Sequence, residues 1–160
     1  MAPPPLNVTS RYLPEGTRKV YWVPTIAVQA SPTRAELNAG IDLSAEIFDV
    51  TGFSVTSNSI EVPDLSSRFT AKIPGLIVAD DSALVIYASQ NSNDVRTVLP
   101  RDTAGFVAML WEGDVAGQKM DIFPVKIAAT SILTPIGDPA RINVAITITK
   151  VPSQNVVIPP

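Results

Sequence analysis

The sequence contains neither cysteine nor histidine. The first absence removes disulfides, thiolate metal sites and thiol nucleophiles together. The second removes Ser-His-Asp and Cys-His catalysis and the usual zinc sites, because no side chain with an unperturbed pKa near neutrality remains. Catalysis by carboxylates or lysine alone remains formally possible. An excess of basic charge is missing too: 12 Lys and Arg stand against 15 Asp and Glu, a formal charge of −3. That balance supplies no basic patch of the kind that grips nucleic acid. No run approaches the ~18 apolar residues needed to cross a bilayer. The start, MAPPPLNVTS, lacks both the basic opening and the apolar run of a secretory signal, so the chain reads as soluble when made, with no membrane insertion.

What is present is punctuation. Fifteen prolines and eight glycines break a chain of 160 residues into short runs rich in Val, Ile, Thr, Phe and Tyr, the pattern of an all-β protein. That length fits one domain, in which about 70% of the unfolded surface is buried on folding. The expected organisation is a proline-stiffened arm over 1–10 and a single domain over 11–160. A strand is predicted to begin at Lys19, with Pro24 suited to an edge or bulge. Strict alternation marks residues 51–60, placing Phe53 and Val55 on one side and Ser54, Thr56 and Asn58 on the other. It recurs over 142–150, where Val144, Ile146 and Ile148 share a face. Two runs, ALVIYA (83–88) and FVAMLW (106–111), are apolar on both faces and so need cover on both sides, from a helix, a loop or another subunit.

Helical signals are few. Ser31, Pro32 and Gly40 are predicted to cap, open and stop one short helix, and a second is expected over 92–99, ended by Pro100. Gly113 to Gly117 reads as a hairpin turn, not a phosphate loop, since no Gly-Lys-Ser/Thr follows. Asp80-Asp81 reads as a turn, because adjacent side chains diverge and no calcium-loop spacing surrounds them. Nothing in the sequence marks Lys72 or Lys126 as buried beside a second cation, the setting of a nucleophilic lysine. The aromatics Tyr12, Tyr21, Trp22, Tyr87 and Trp111 lie mostly in strand-like runs, where packing in a core or interface is the expected use. No catalytic residue, cofactor site or metal site is assigned.

Two features stand out against this background. LSSRFTAKIPGLIVADDS (65–82) is bracketed by turn residues and has Pro74-Gly75 as a predicted central turn, so a loop or loosely held hairpin is expected. It nevertheless carries Phe69, Ile73, Leu76, Ile77 and Val78, and loops of that length are commonly functional. Between Ala35 and Ser67, Glu36, Asp42, Glu46, Asp49, Glu61 and Asp64 occur without a single Lys or Arg. That is either a solvated face or a surface meant to repel polyanions.

Six segments taken in order, RYLPEGTRKVYWVPTI, PTRAELNAGIDLS, VPDLSSRFTAKIPG, ADDSALVIYAS, VRTVLPRDTAGFV and GDVAGQKMDIFPVKIA, resemble the major tail tube proteins of long-tailed bacteriophages, particularly those of actinobacterial hosts. The resemblance implies a mainly β, antiparallel β-sandwich or barrel with one or two short flanking helices and a long loop. It implies homohexameric rings whose inner sheets form one continuous barrel and which stack through the long loop. It further implies a structural virion protein, assembled in the host cytoplasm, that catalyses nothing. Its partners would be itself and the tape-measure, tail-tip and tail-terminator proteins, with DNA passing through the lumen without specific binding. On this reading Phe69, Ile73, Leu76, Ile77 and Val78 touch the neighbouring ring, and Asp42, Glu46, Asp49 and Glu61 are candidates to line the bore. Two other readings stay open: a different virion sandwich protein, such as a tail terminator or head decoration protein, and a secreted carbohydrate-binding β-sandwich.

Overall fold

The computed structural model describes residues 3–6 and 8–160. Ten strands and two short helices follow one another in the chain: β1 (Lys19–Val23), α1 (Arg34–Asn38), β2 (Ile41–Asp42), β3 (Ile47–Thr51), β4 (Val55–Val62), β5 (Ala71–Ala79), β6 (Ser82–Tyr87), α2 (Val95–Val98), β7 (Ala104–Leu110), β8 (Lys119–Leu133), β9 (Arg141–Ile148) and β10 (Ser153–Val157). All strand pairs are antiparallel. The main sheet runs β2-β1-β7-β8-β9-β6-β3, with β10 added to β8, while β4 and β5 form a separate two-stranded sheet.

The two ends of the main sheet are consecutive in sequence, and that forces it to curl. Only residues 43–46 separate β2 from β3, a span of roughly 15 Å when extended. Within it the Leu43 amide donates to the Val20 carbonyl and the Tyr87 amide donates to the Glu46 carbonyl. The link therefore bridges β1 to β6, and the sheet closes over an inner core that includes Trp22, Leu84, Met109, Phe123, Ile142 and Val144. Val95 of α2 and the wholly buried Leu99 complete this core.

A second cluster lies on the opposite face of β1, β7 and β8. Ala108 and Leu110 point into it, alternating with Val107 and Met109 of the inner core. Its cover is Leu37 of α1, Ile26, Val156 of β10 and Ile158. The run FVAMLW thus has both faces covered within its own chain, and ring closure is not needed to explain it. The other doubly apolar run behaves differently. In β6, Leu84 and Ile86 are buried in the inner core, but Ala83, Val85 and Tyr87 remain half-buried on the outer face.

Three sequence expectations are corrected. The helix begins two residues later than predicted: Thr33, not Ser31, is the N-cap, because Thr33 and Glu36 form a reciprocal capping box that satisfies two orphan amides at once. Residues 51–60 are not one strand. Gly52 and Phe53 both adopt positive φ, 75° and 54°, which ends β3 and turns the chain outward before β4. Pro74-Gly75 is not a turn but part of β5, at a bulge where the register shifts between Ser57 and Ser59 of β4. The real turn lies at 63–70. Both short helices, the 113–117 turn, with φ of 88° at Gly113 and Gly117, and the shared face of Val144, Ile146 and Ile148 agree with the sequence reading.

Candidate assembly surfaces

The β4–β5 hairpin pairs with no other strand among the described residues. Eight residues of β4 extend it by about 25 Å. Its two faces are chemically distinct. The register Val62↔Ala71, Ile60↔Ile73 and Thr56↔Val78 puts Ile60, Val62, Ile73 and Val78 on one face, joined by Leu76 from the bulge. The opposite face carries Ser57, Ser59 and the exposed Glu61–Lys72 ion pair at 3.1 Å. Gly75 is needed at the bulge: a Cβ there would lie 2.5 Å from the Asn58 carbonyl oxygen and 2.9 Å from the Ile60 side chain.

The five apolar residues picked out in the sequence do not share one surface. Ile73, Leu76 and Val78 lie together; Ile77 points the other way, at the root, in a small cleft with Val55, Ile148 and Pro152; Phe69 sits in the turn, 77% exposed. Ile60 and Val62 belong to the apolar face and the sequence reading missed them. Their signal is the alternation Ile60-x-Val62, which the expected strand end at residue 60 cut short.

A second surface is the outer face of β3, β6, β9 and distal β8. Register and burial assign to it Asp49 and Thr51, Ala83 and Val85, Asn143 and Ala145, and Lys126 and Ser131. Small and uncharged side chains dominate. Its cations are compensated: Lys126 lies 3.0 Å from Asp102, and Arg141 lies 3.2 Å from Asp138 while its guanidinium stacks 4.0 Å over the Phe48 ring. Both borders of this four-stranded face are strand edges. Beta7 begins opposite Lys126 and its preceding loop reaches only Ile127, so, among the described residues, 128–133 of β8 pair on one side alone. At the other border β3 pairs, among the described residues, only with β6, and its second edge faces a cleft of about 340 Å³ toward Pro14 and Arg18.

The four acids proposed from the sequence sit on four different elements: Asp42 and Glu46 line one cleft beside α2, while Asp49 and Glu61 lie apart from it on β3 and β4. Asp49 alone lies on the four-stranded face. Asp42, on β2, is 3.3 Å from Lys19; partial burial pushes its carboxyl up, but the Ser44 hydroxyl and amide and Lys19 outweigh this and hold it below the usual carboxylate range. Glu46 belongs to the β2–β3 link, and Glu61 to the hairpin. Asp80 accepts a hydrogen bond from the Ser54 hydroxyl at the hairpin root, a turn role. Among the described residues no cluster of three Asp, Glu, His or Cys could hold a metal ion, and no helix is long and apolar enough to cross a membrane. Trp22 is buried in the core, and the Trp111 indole N–H donates to Asp121, so these indoles pack and do not form an exposed platform.

A mainly β chain with two sheet edges unpaired among the described residues and an exposed apolar hairpin face has the surfaces of an assembly protein. Residues 6–160 match the family of phage tail tube proteins, and the chain belongs to that family. No curated protein matches it in sequence. Membership makes it a structural component of a virion tail.

Proposed function

We propose that the chain is the repeating subunit of a tail tube, in which copies close edge to edge into rings, six per ring as the resemblance implies, and rings stack through the β4–β5 hairpin. The observation that carries this reading is the hairpin itself. A lone two-stranded hairpin is marginal in water, and this one exposes Ile60, Val62, Ile73, Leu76 and Val78, with no other strand paired to it among the described residues. Burying each against a neighbour contributes on the order of 1 kcal/mol, since each is already partly covered.

Ring closure is assigned to the two bare edges. Residues 128–133, AATSIL, contain no charge and no proline, the devices that normally protect an edge strand. Their addition to β3 of the next copy extends the four-stranded face into a continuous wall. Such a wall, with Asp49 on it and its cations paired, suits a bore through which DNA slides without being held. Tape-measure, tail-tip and tail-terminator proteins are the expected partners at its lumen and ends. The paired substitution Ile132→Lys with Leu133→Lys tests the edge, both side chains being exposed. Sedimentation velocity should show a folded monomer where the native chain gives rings or tubes; unchanged assembly would remove β8 from the ring contact.

A further inference from the structure

The hairpin leaves the body through an elbow with unusual chemistry. Gly52 and Phe53 are consecutive left-handed residues, at φ 75° and 54°. At Gly52 a Cβ would lie 2.3 Å from the Asp81 carbonyl oxygen and 2.7 Å from the Ser82 Cα, so the outgoing and returning chains cross at backbone contact. Phe53 is not glycine, and a left-handed bulky residue persists only where its surroundings hold it. Two contacts hold it here. Its ring is buried edge-on against Phe123 of β8, centroids 5.3 Å apart at 76°. Its amide donates to the Ser82 hydroxyl oxygen at 2.9 Å, and that hydroxyl donates to the Asp80 carbonyl at 3.1 Å. Ser82, 4% exposed, is the one buried polar residue among the core positions described. Ser54 and Asp80 close the crossing with a backbone bond of 3.0 Å and a side-chain hydrogen bond.

From this geometry we infer that Gly52, Phe53 and Ser82 form an aiming elbow, which fixes the direction of the β4–β5 hairpin relative to the β6–β9 sheet and so presets the geometry of stacking. These are positioning residues: none of them belongs to the exposed apolar face, and each acts by pointing that face. A tethered but freely swinging hairpin would lose much of its orientation on docking, and preorganisation removes that cost. The inference rests on the proposal that the hairpin makes the inter-ring contact, but the elbow can be read without it.

The absence of native cysteine allows spin labels at Ser66→Cys, in the hairpin turn, and Gln118→Cys, on the body. Pulsed dipolar spectroscopy on the full chain then measures the spread of their distance. Ser82→Ala should leave the fold intact by circular dichroism, broaden that distribution about twofold and speed amide exchange across 55–79 about tenfold, since a buried donor has lost its partner. Ser82→Thr retains the hydroxyl in a side chain suited to a strand and should restore the narrow distribution, a rescue that a change in overall stability would not produce. Gly52→Ala should shift the mean distance, because the crossing must open. Rings should persist in Ser82→Ala while ordered stacking is lost. An unchanged distribution in both Ser82→Ala and Gly52→Ala would overturn the elbow, whatever the tubes do. Normal stacking by variants of the apolar face would instead defeat the inter-ring reading and leave the elbow to be judged on distances alone.

Discussion

The Tyr21 hydroxyl donates to Asp114 Oδ2 at 3.0 Å, while Arg34 Nη1 lies 2.7 and 3.0 Å from the two oxygens of the same carboxylate. One acid in the β7–β8 turn thus ties together β1 and α1, the helix that covers the outer cluster.

This arrangement has a consequence at high pH. Burial, then the Asp114 hydrogen bond and charge, push the Tyr21 hydroxyl from 10.0 up to about 12. A raised pKa means the folded state binds the proton more tightly, so the stabilisation is complete below pH ~10 and is lost as pH rises through about 12. The slope of melting temperature against pH over that window should flatten in Tyr21→Phe. An identical slope in the variant would detach Tyr21 from alkaline unfolding.

The acid side is governed differently. Asp94 caps α2 by accepting from the Arg96 amide, and its oxygens take hydrogen bonds from the Arg96 guanidinium at 2.7 and 2.8 Å. Arg96 first, with the Ser89 and Arg96 amides, holds its carboxyl far below the usual range against the opposing effect of burial. The folded pKa being depressed, this contribution is present above the unfolded value of ~3.9 and declines as pH falls below it. Asp94→Asn keeps a capping oxygen but loses the charge that pairs with the Arg96 guanidinium, so it should be less stable at pH 7 by about 1 to 2 kcal/mol and should lose less on acidification. Urea denaturation at several pH values reads both.

Packing supplies the third expectation. A Cβ on Gly105 would lie 2.6 Å from the Trp22 ring and 3.0 Å from the Val23 carbonyl oxygen. Overpacking of this kind costs roughly 1 to 3 kcal/mol, so Gly105→Ala should lower the urea midpoint by a corresponding amount with its slope unchanged. A midpoint equal to that of the native chain would show that Trp22 can yield.

Much of this architecture was legible because it is periodic. The alternation of Val144, Ile146 and Ile148, and the double apolarity of Val107 to Leu110, follow from strands with one or two covered faces. What covers those faces was not legible: Leu37 and Ile158 reach the outer cluster from distant parts of the chain, and no local pattern says so. The end of β3 was missed for a related reason. Phe53 fits an alternating strand by composition, and only its contact with Phe123 and the Gly52 crossing reveal a left-handed corner. Pro74-Gly75 misled through turn chemistry that a bulge uses equally well. Of the acids, sequence supplied the absence of Lys and Arg, but register alone separates Asp49 on the four-stranded face from Asp42 beside Lys19 and Glu61 beside Lys72.

The central claim is that an uncovered hairpin face joins rings into a tube. Electron microscopy of the purified native chain beside an Ile73→Asp, Leu76→Asp variant tests it most directly, because these side chains are exposed in the subunit and their loss leaves the core intact. The account predicts stacked tubes from the native chain and isolated rings from the variant. Tubes of normal length and stability from the variant would contradict it, as would a native chain that stays a 17.0 kDa monomer at every concentration even with tail-tip components added.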